Sequence, residues 1–327
     1  MSRLTDGIAL DTKEMRAAYC EALIREARNN GRIIVVDADV SHSVGTEPFY
    51  KEFPGRSINC GIMEAHAVGM SAGMSETGLI PFFHAFGVFA TRRAFDQIFL
   101  SCAYQKLNVK IVGADPGVTA ATNGGTHMPF EDIGLMRLIP NSVIIEPADA
   151  AMYGAAVSYM VNNYGVHYLR TSRRKTMRIY PDGAEFVIGK ANKLADGGDV
   201  CIIASGIMVY EALKAADMLA DKGIYARVLD MHTIKPLDTA AVEAAARECG
   251  AIVTAENHNV TGGLGAAVCE ALAETLPVPV ERVGVKESFG EVGGQDYLQK
   301  RFGLTAEEIV KAAEKCISRK KIQESKK

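Results

Sequence analysis

The stretch GIMEAHAVGMSAG, residues 61–73, sets a carboxylate and an imidazole, Glu64 and His66, among small and apolar side chains. A charge in such a run is costly to bury without a partner. A glutamate in the first turn of a helix can be satisfied by the helix dipole alone. It can also share a proton with a bound group, which is what acid–base chemistry needs. Further along, HAFGVF places Phe86 and Phe89 at i, i+3 spacing. That suits plain core packing and equally the apolar walls of a pocket for a flat ring. GGTHMP brings His127 onto a Gly-rich loop, as a helix cap, a core residue or a group that reaches a ligand. The run GGLGAA at 262–267 lacks the GxGxxG spacing of a nucleotide loop, and a helix start is sufficient explanation for it.

The elements that must hold these residues show as an alternation. RIIVVDA (32–38), LIPFF (79–83), NVKIVGA (108–114), SVIIEPA and VHYLRT have the composition of strands. Between them EAHAVGMSAGMSETG, FATRRAFDQIFLSCAYQ, EDIGLMRLIP and AAMYGAAVSYMVNN have that of helices. Fully apolar strands separated by helices imply a parallel sheet covered on both faces. The pattern breaks at 176–197, a polar, glycine-rich and hairpin-like stretch that reads as a linker. A second alternation runs from VCIIASG to VPVERVGV. The expected fold class is therefore α/β, with two parallel-sheet domains at 1–175 and 198–317. The charged tail 318–327 is expected to fray.

The 327 residues, 48% of them hydrophobic, are enough for two cores. A net charge of −3 offers no basic excess for nucleic acid or an anionic membrane. No apolar run approaches the roughly 18 residues of a membrane span, and the N-terminus has no apolar leader segment. Seven scattered cysteines without a CxxC fit a reducing cytoplasm rather than a disulfide framework or a zinc site. Two such domains serve many enzymes, and architecture alone does not choose among them.

An ordered series of motifs does choose. GIMEAHAVGMSAG, PFFHAFGVFATRRAFDQI, GADPGVTAATNGGTHMPFEDIGLMRLIPNSVIIEPADA and YLRTSR, in this order and spacing, resemble the pyrimidine-binding domain of transketolases. VLDMHTIKPLD and AENHNVTGGLGAAV resemble the transketolase C-terminal domain. No GDG…N motif, which in that family holds the diphosphate and Mg²⁺ of thiamine diphosphate, occurs here. The resemblance thus implies the C-terminal subunit of a split transketolase, inactive alone. A separate N-terminal subunit would carry the diphosphate and Mg²⁺ site, and the family's cofactor, lying between chains, implies a homodimer of this chain within an α2β2 assembly.

The same resemblance assigns roles by position. Glu64 would share a proton with the aminopyrimidine of thiamine diphosphate and so activate it. Phe89 would stack on that ring and Phe86 line its pocket. His127 would reach the donor ketose, as a catalytic and substrate-binding residue. Arg16, Ser43 and Arg173 match ligands of the sugar phosphate, and Asp39 a residue near the sugar hydroxyls. There are departures from the family pattern. Asp115 stands where a substrate-facing His is expected, Thr122-Asn123 replace a Glu-Asp pair, and His84-Ala85 replace a Ser-Thr. Changed hydrogen-bonding groups at Asp115 and Asn123 imply an altered choice of ketose, such as a branched sugar phosphate like apulose 4-phosphate. The β subunit of a 2-oxo-acid dehydrogenase shares the domain pair and is the alternative enzyme. A catalytically silent regulatory subunit is the alternative outside enzymes.

Overall fold

The computed structural model describes residues 4–325. After a short strand β1 (Ala9–Leu10) and a helix Met15–Asn29, six parallel strands follow in the first half. They are β2 (Ile33–Asp37), β3 (Ser57–Asn59), β4 (Ile80–Phe86), β5 (Lys110–Ala114), β6 (Val143–Ile145) and β7 (His167–Thr171). Every residue of β2, β5 and β7 is buried. A strand covered on both faces has no solvent side, which is why β2 and β5 are mostly apolar and why the polar residues of β7, His167, Arg170 and Thr171, are buried with it. A two-residue strand β8 (Met177–Arg178) returns to pair antiparallel with β1.

The second sheet holds β9 (Asn192–Ala195), β10 (Val200–Ala204), β11 (Ala226–Asp230), β13 (Ile252–Asn259) and β14 (Val280–Val285) in the order β14-β13-β10-β11-β9. Only β9 is antiparallel to its neighbour there. Strand β12 (Thr233–Lys235) does not join it. It crosses back to pair antiparallel with β6, so the first sheet reads β12-β6-β7-β5-β4-β2-β3. Two mostly parallel sheets flanked by helices give the expected α/β class.

Parallel strands end on one edge, and in open α/β sheets ligands bind outside the carboxyl ends. The register sets Asp37 beside His84, Phe86 beside Ala114, and Ala114 beside Thr171. Asp39, Phe86, Asp115 and Arg173 therefore end or follow four neighbouring strands.

Several local expectations need correction. The stretch 89–105 is not one helix. A helical turn Gly87–Ala90 is followed by a 3-10 turn Arg92–Ala94, a turn Phe95–Gln97 and a π-helical segment Ile98–Tyr104. Thr91 marks the first break: its hydroxyl donates to the Gly87 carbonyl at 2.7 Å, with φ −110 and ψ −76. The stretch 176–197 is not a hairpin, since β8 and β9 pair with distant strands instead of each other. Residues from 318 do not fray as far as they are described, because the helix Ala306–Glu324 runs through them. Arg319 donates to the Val280 carbonyl at 2.9 Å and Lys320 to that of Cys249 at 2.9 Å, tying this turn to the second sheet.

Candidate functional site

Glu64 opens the helix Glu64–Glu76 and is 3% exposed. Its two carboxylate oxygens accept hydrogen bonds from Arg93 Nη1 at 2.8 and 2.9 Å. The same guanidinium lies 3.9 Å from the centre of the Phe89 ring, so ion pairing and cation–π attraction hold it together. Arg93 is absent from the residues expected at the site. No sequence spacing reveals it, because the helical turn holding Phe89 ends at Ala90 and Arg93 lies on a separate 3-10 turn.

His127 sits edge-on to both phenylalanines, 5.5 Å from the Phe86 centroid and 5.1 Å from that of Phe89. The three rings form one corner, with Phe86 and Phe89 at 6.4 Å. Burial holds the His127 pKa below the usual imidazole value, and the charges of Arg173 and Arg93 push it the same way. Asp115 opposes them. His127 is thus neutral near pH 7, with the Thr126 hydroxyl 3.0 Å from its Nδ1.

Arg173 adjoins this corner, its guanidinium carbon 5.3 Å from the Phe86 centroid. Its backbone N–H donates to Asp115 at 3.0 Å and its Nε donates to the other carboxylate oxygen. Asp115 is fully buried in a left-handed conformation, φ 56. Burial pushes its carboxyl pKa up, and Arg173 pulls it back.

Arg16 Nη1 donates to the carbonyls of His42 and Ser43, both at 3.1 Å, and its Nε to Glu14 at 2.8 Å. Arg16 and Ser43 are therefore together, and the bond from Met15 N–H to the Arg174 carbonyl at 3.1 Å joins the start of the Arg16 helix to the segment that carries Arg173. Asp39, at φ 60, is clasped by Asn59, which accepts from its N–H at 3.2 Å and donates to its carboxylate at 2.9 Å. Asn123 is half-buried at the end of the turn Gly117–Asn123. Among the described residues neither Asp39 nor Asn123 bonds to the Glu64–His127–Arg173 cluster.

The loop carrying Asn123 and His127 is held from the second half of the chain. Asn257 accepts from Val118 N–H at 3.0 Å and donates to the Pro116 carbonyl at 2.8 Å. At Gly117, φ +52, a Cβ would lie 2.1 Å from the Asn257 oxygen, so glycine is required there. Asn257 is a second residue missing from the expected set, and its partners lie 139 and 141 positions away.

Other histidines and glycines resolve plainly. His66 is exposed. His84 is a core residue, 2.6 Å from the Tyr19 hydroxyl, with burial lowering its pKa to about 4. The helix start in GGLGAA is satisfied from within, since Leu264 and Gly265 N–H donate to Glu256 at 2.7 and 2.8 Å. Among the described residues no group of three or more His, Cys, Asp or Glu is placed to hold a metal ion.

The sequence matches the family description of the transketolase pyrimidine-binding domain over residues 11–178, and that of the transketolase C-terminal domain over 189–309. The chain belongs to the transketolase family. Among its relatives is the 6-deoxy-6-sulfo-D-fructose transketolase subunit SqwH of Clostridium sp. (strain MSTE9), 49% identical over 96% of this chain and 97% of the relative. One of the subunits of the apulose-4-phosphate transketolase of Phocaeicola vulgatus is 40% identical over 91% of this chain and 96% of its own. A solved structure described as a split gene transketolase, inactive beta4 tetramer, aligns with a TM-score of 0.86 and 43% identity. It covers 93% of this chain and 98% of that one.

Transketolase-family membership implies thiamine diphosphate as the cofactor. The corner at Phe89 fits its aminopyrimidine on this structure's own terms. A flat, nitrogen-bearing cation already stacks on the Phe89 ring while bonding to both oxygens of a buried carboxylate.

Proposed function

We propose that this chain is the C-terminal subunit of a two-chain transketolase. It moves a two-carbon ketol unit from a ketose with an anionic end to an aldose phosphate. Bound thiamine diphosphate supplies the carbon nucleophile for breaking and remaking the C–C bond. Glu64 holds a proton at the ring nitrogen, which calls for a buried carboxyl group rather than a solvated one. Phe89 and Phe86 keep the ring flat and exclude water on one side. His127, neutral and beside both rings, would hydrogen-bond the donor's C1 hydroxyl and so orient the two-carbon unit. Arg173, Arg16 and Ser43 anchor the anionic end, fixing how far the carbonyl reaches. Asp39 and Asn123 face the sugar hydroxyls.

The observation that carries this reading is Glu64, buried in a helix's first turn and reached by the same side chain that stacks on Phe89. The diphosphate and Mg²⁺ are assigned to a separate N-terminal subunit, with two copies of each chain in the assembly. A cytoplasmic location is part of this reading, and seven free cysteines fit a reducing compartment. No helix among the described residues is long and apolar enough to cross a membrane. The relatives offer two donors, a sulfofructose and apulose 4-phosphate. The test is turnover by the two subunits combined with thiamine diphosphate and Mg²⁺. Glu64→Gln should lower kcat by roughly 10²–10⁴-fold, and unchanged turnover would remove the catalytic assignment.

A further inference from the structure

The two arginines assigned to the donor's anionic end come already matched by carboxylates. Arg173 is bonded through its backbone and its Nε to Asp115, which is fully buried. Arg16 is bonded through its Nε to Glu14 at 2.8 Å. The Met15 to Arg174 hydrogen bond, 3.1 Å, holds the two arginine-bearing segments against each other. Asp39 supplies a further carboxylate at the end of a strand in the same sheet.

We propose that Asp115 determines the charge class of the donor: by pairing with Arg173 it makes the subsite prefer a singly charged sulfonate to a doubly charged phosphate. This rests on the ketol-transfer reading above and adds the substrate class to it.

A sulfonate and a phosphate monoester both present three oxygens in a tetrahedral array, so shape and hydrogen-bond count separate them poorly. Charge separates them well. A phosphate monoester carries about −1.5 to −2 at pH 7, whereas a sulfonate carries −1 across the neutral range. Two unopposed arginines would match the former. Here the Nε of each arginine is turned to a carboxylate, and Arg16 Nη1 to the carbonyls of His42 and Ser43, so the remaining field suits the latter. Burial makes Asp115 the stronger of the two counter-charges, because solvent and salt screen it little. Glu14 is 43% exposed in its side chain and is screened. Arg174 is exposed too and adds a cation of the screened kind. A histidine, which the family resemblance places at position 115, would donate to the anion. An aspartate there repels the second charge instead.

The experiment compares 6-deoxy-6-sulfo-D-fructose with fructose 6-phosphate as donors for the two-chain holoenzyme, since they share a carbon skeleton and differ at C6. The wild type should favour the sulfonate in kcat/KM by about tenfold or more. Asp115→Asn should shrink that preference by about tenfold, chiefly through a lower KM for the phosphate. Glu14→Gln should shift it the same way by less. General damage to the site lowers both donors together and leaves the ratio alone. Should Asp115→Asn fail to fold, Glu14→Gln, at the surface, carries the test. A wild type that prefers the phosphate, or a ratio that neither variant moves, overturns this inference and leaves ketol transfer standing. No turnover of any ketose would overturn both.

Discussion

At the scale of single residues, the ion pair between Glu64 and Arg93 decides most. The carboxylate is 3% exposed while the Arg93 side chain is 46% exposed, so the pair is half in water. Removing the arginine leaves a buried charge without its partner, which costs more than the pair itself contributes. Arg93 also lies over Phe89, where the aminopyrimidine is proposed to stack. Both effects point one way for Arg93→Ala. Without cofactor the variant should lose about 1–3 kcal/mol of stability. With thiamine diphosphate and the partner subunit, its Tm should rise by more than the wild type's, because binding fills a vacated corner. Melting curves with and without cofactor check this; equal cofactor shifts in the two proteins would show that Arg93 and the ring do not share space. The carboxylate was legible as a charge needing a partner. The guanidinium was not, since FATRR looks like any solvated helix face. Only folding shows that the turn after Thr91 aims one of its two arginines inward.

At the scale of elements, the helix Glu64–Glu76 shows an unusual face. His66, Gly69 and Gly73 fall at i, i+3, i+7 and so share one stripe. A Cβ at Gly69 or at Gly73 would meet nothing within 4 Å. Around the stripe Ile62, Met63, Leu100 and Tyr104 are exposed at 71, 56, 49 and 72%. Small residues on an open face suit close approach by another chain, which is the homodimer proposed above. Gly69→Leu therefore separates folding from assembly. In the isolated chain it should be neutral or stabilising by up to about 1 kcal/mol, because glycine is a poor helix residue. In the assembly it should lower the self-association seen by light scattering at least tenfold. A variant that melts lower yet associates normally would place this stripe inside the subunit instead. Element types were readable here because β2, β5 and β7 are buried on both faces and the helices between them are long. The broken segment 87–104 was not readable, for its apolar spacing is the same whether a turn closes as α or π. The first break sits at Thr91, at φ −110 and ψ −76, where both the backbone N–H and the hydroxyl bond to the Gly87 carbonyl.

At the scale of the molecule, the two sheets are joined by polar contacts that the sequence scatters over long separations. Arg170, fully buried, bonds to Asp132, Glu146 and the Asn257 carbonyl, and Ser205 bonds to Glu146. Strand β12 leaves its own sheet to lengthen the other. In the sequence these residues look like ordinary surface charges, and TIK looks like any short strand, because what satisfies them lies far along the chain. A second polar junction sits where the stretch after β8 meets β11. Tyr180 donates to Asp230 at 2.6 Å, while Asp149 accepts from Ile179 and Tyr180 N–H, both at 2.8 Å. Asp230 is completely buried, and its other oxygen has no hydrogen-bond partner among the described residues. Burial raises its pKa to about 8; the negative charges of Asp149 and Glu146 act the same way, and Tyr180 opposes them. An acid whose folded pKa lies above its unfolded one binds the proton more tightly when folded. Its contribution is complete below the unfolded value and declines as pH rises towards the folded one. Between about pH 4 and 8 Asp230 therefore makes the protein less stable as pH increases, by at most about 1.4 kcal/mol per pH unit. Asp230→Asn keeps an oxygen for Tyr180 and has no proton to lose. Its Tm relative to wild type should rise from pH 6 to 8, by the equivalent of about 2 kcal/mol, and level off above about pH 9. A Tm difference that stays constant over this range would mean that Asp230 is already ionised in the fold at pH 6, held by a cation or water at its free oxygen.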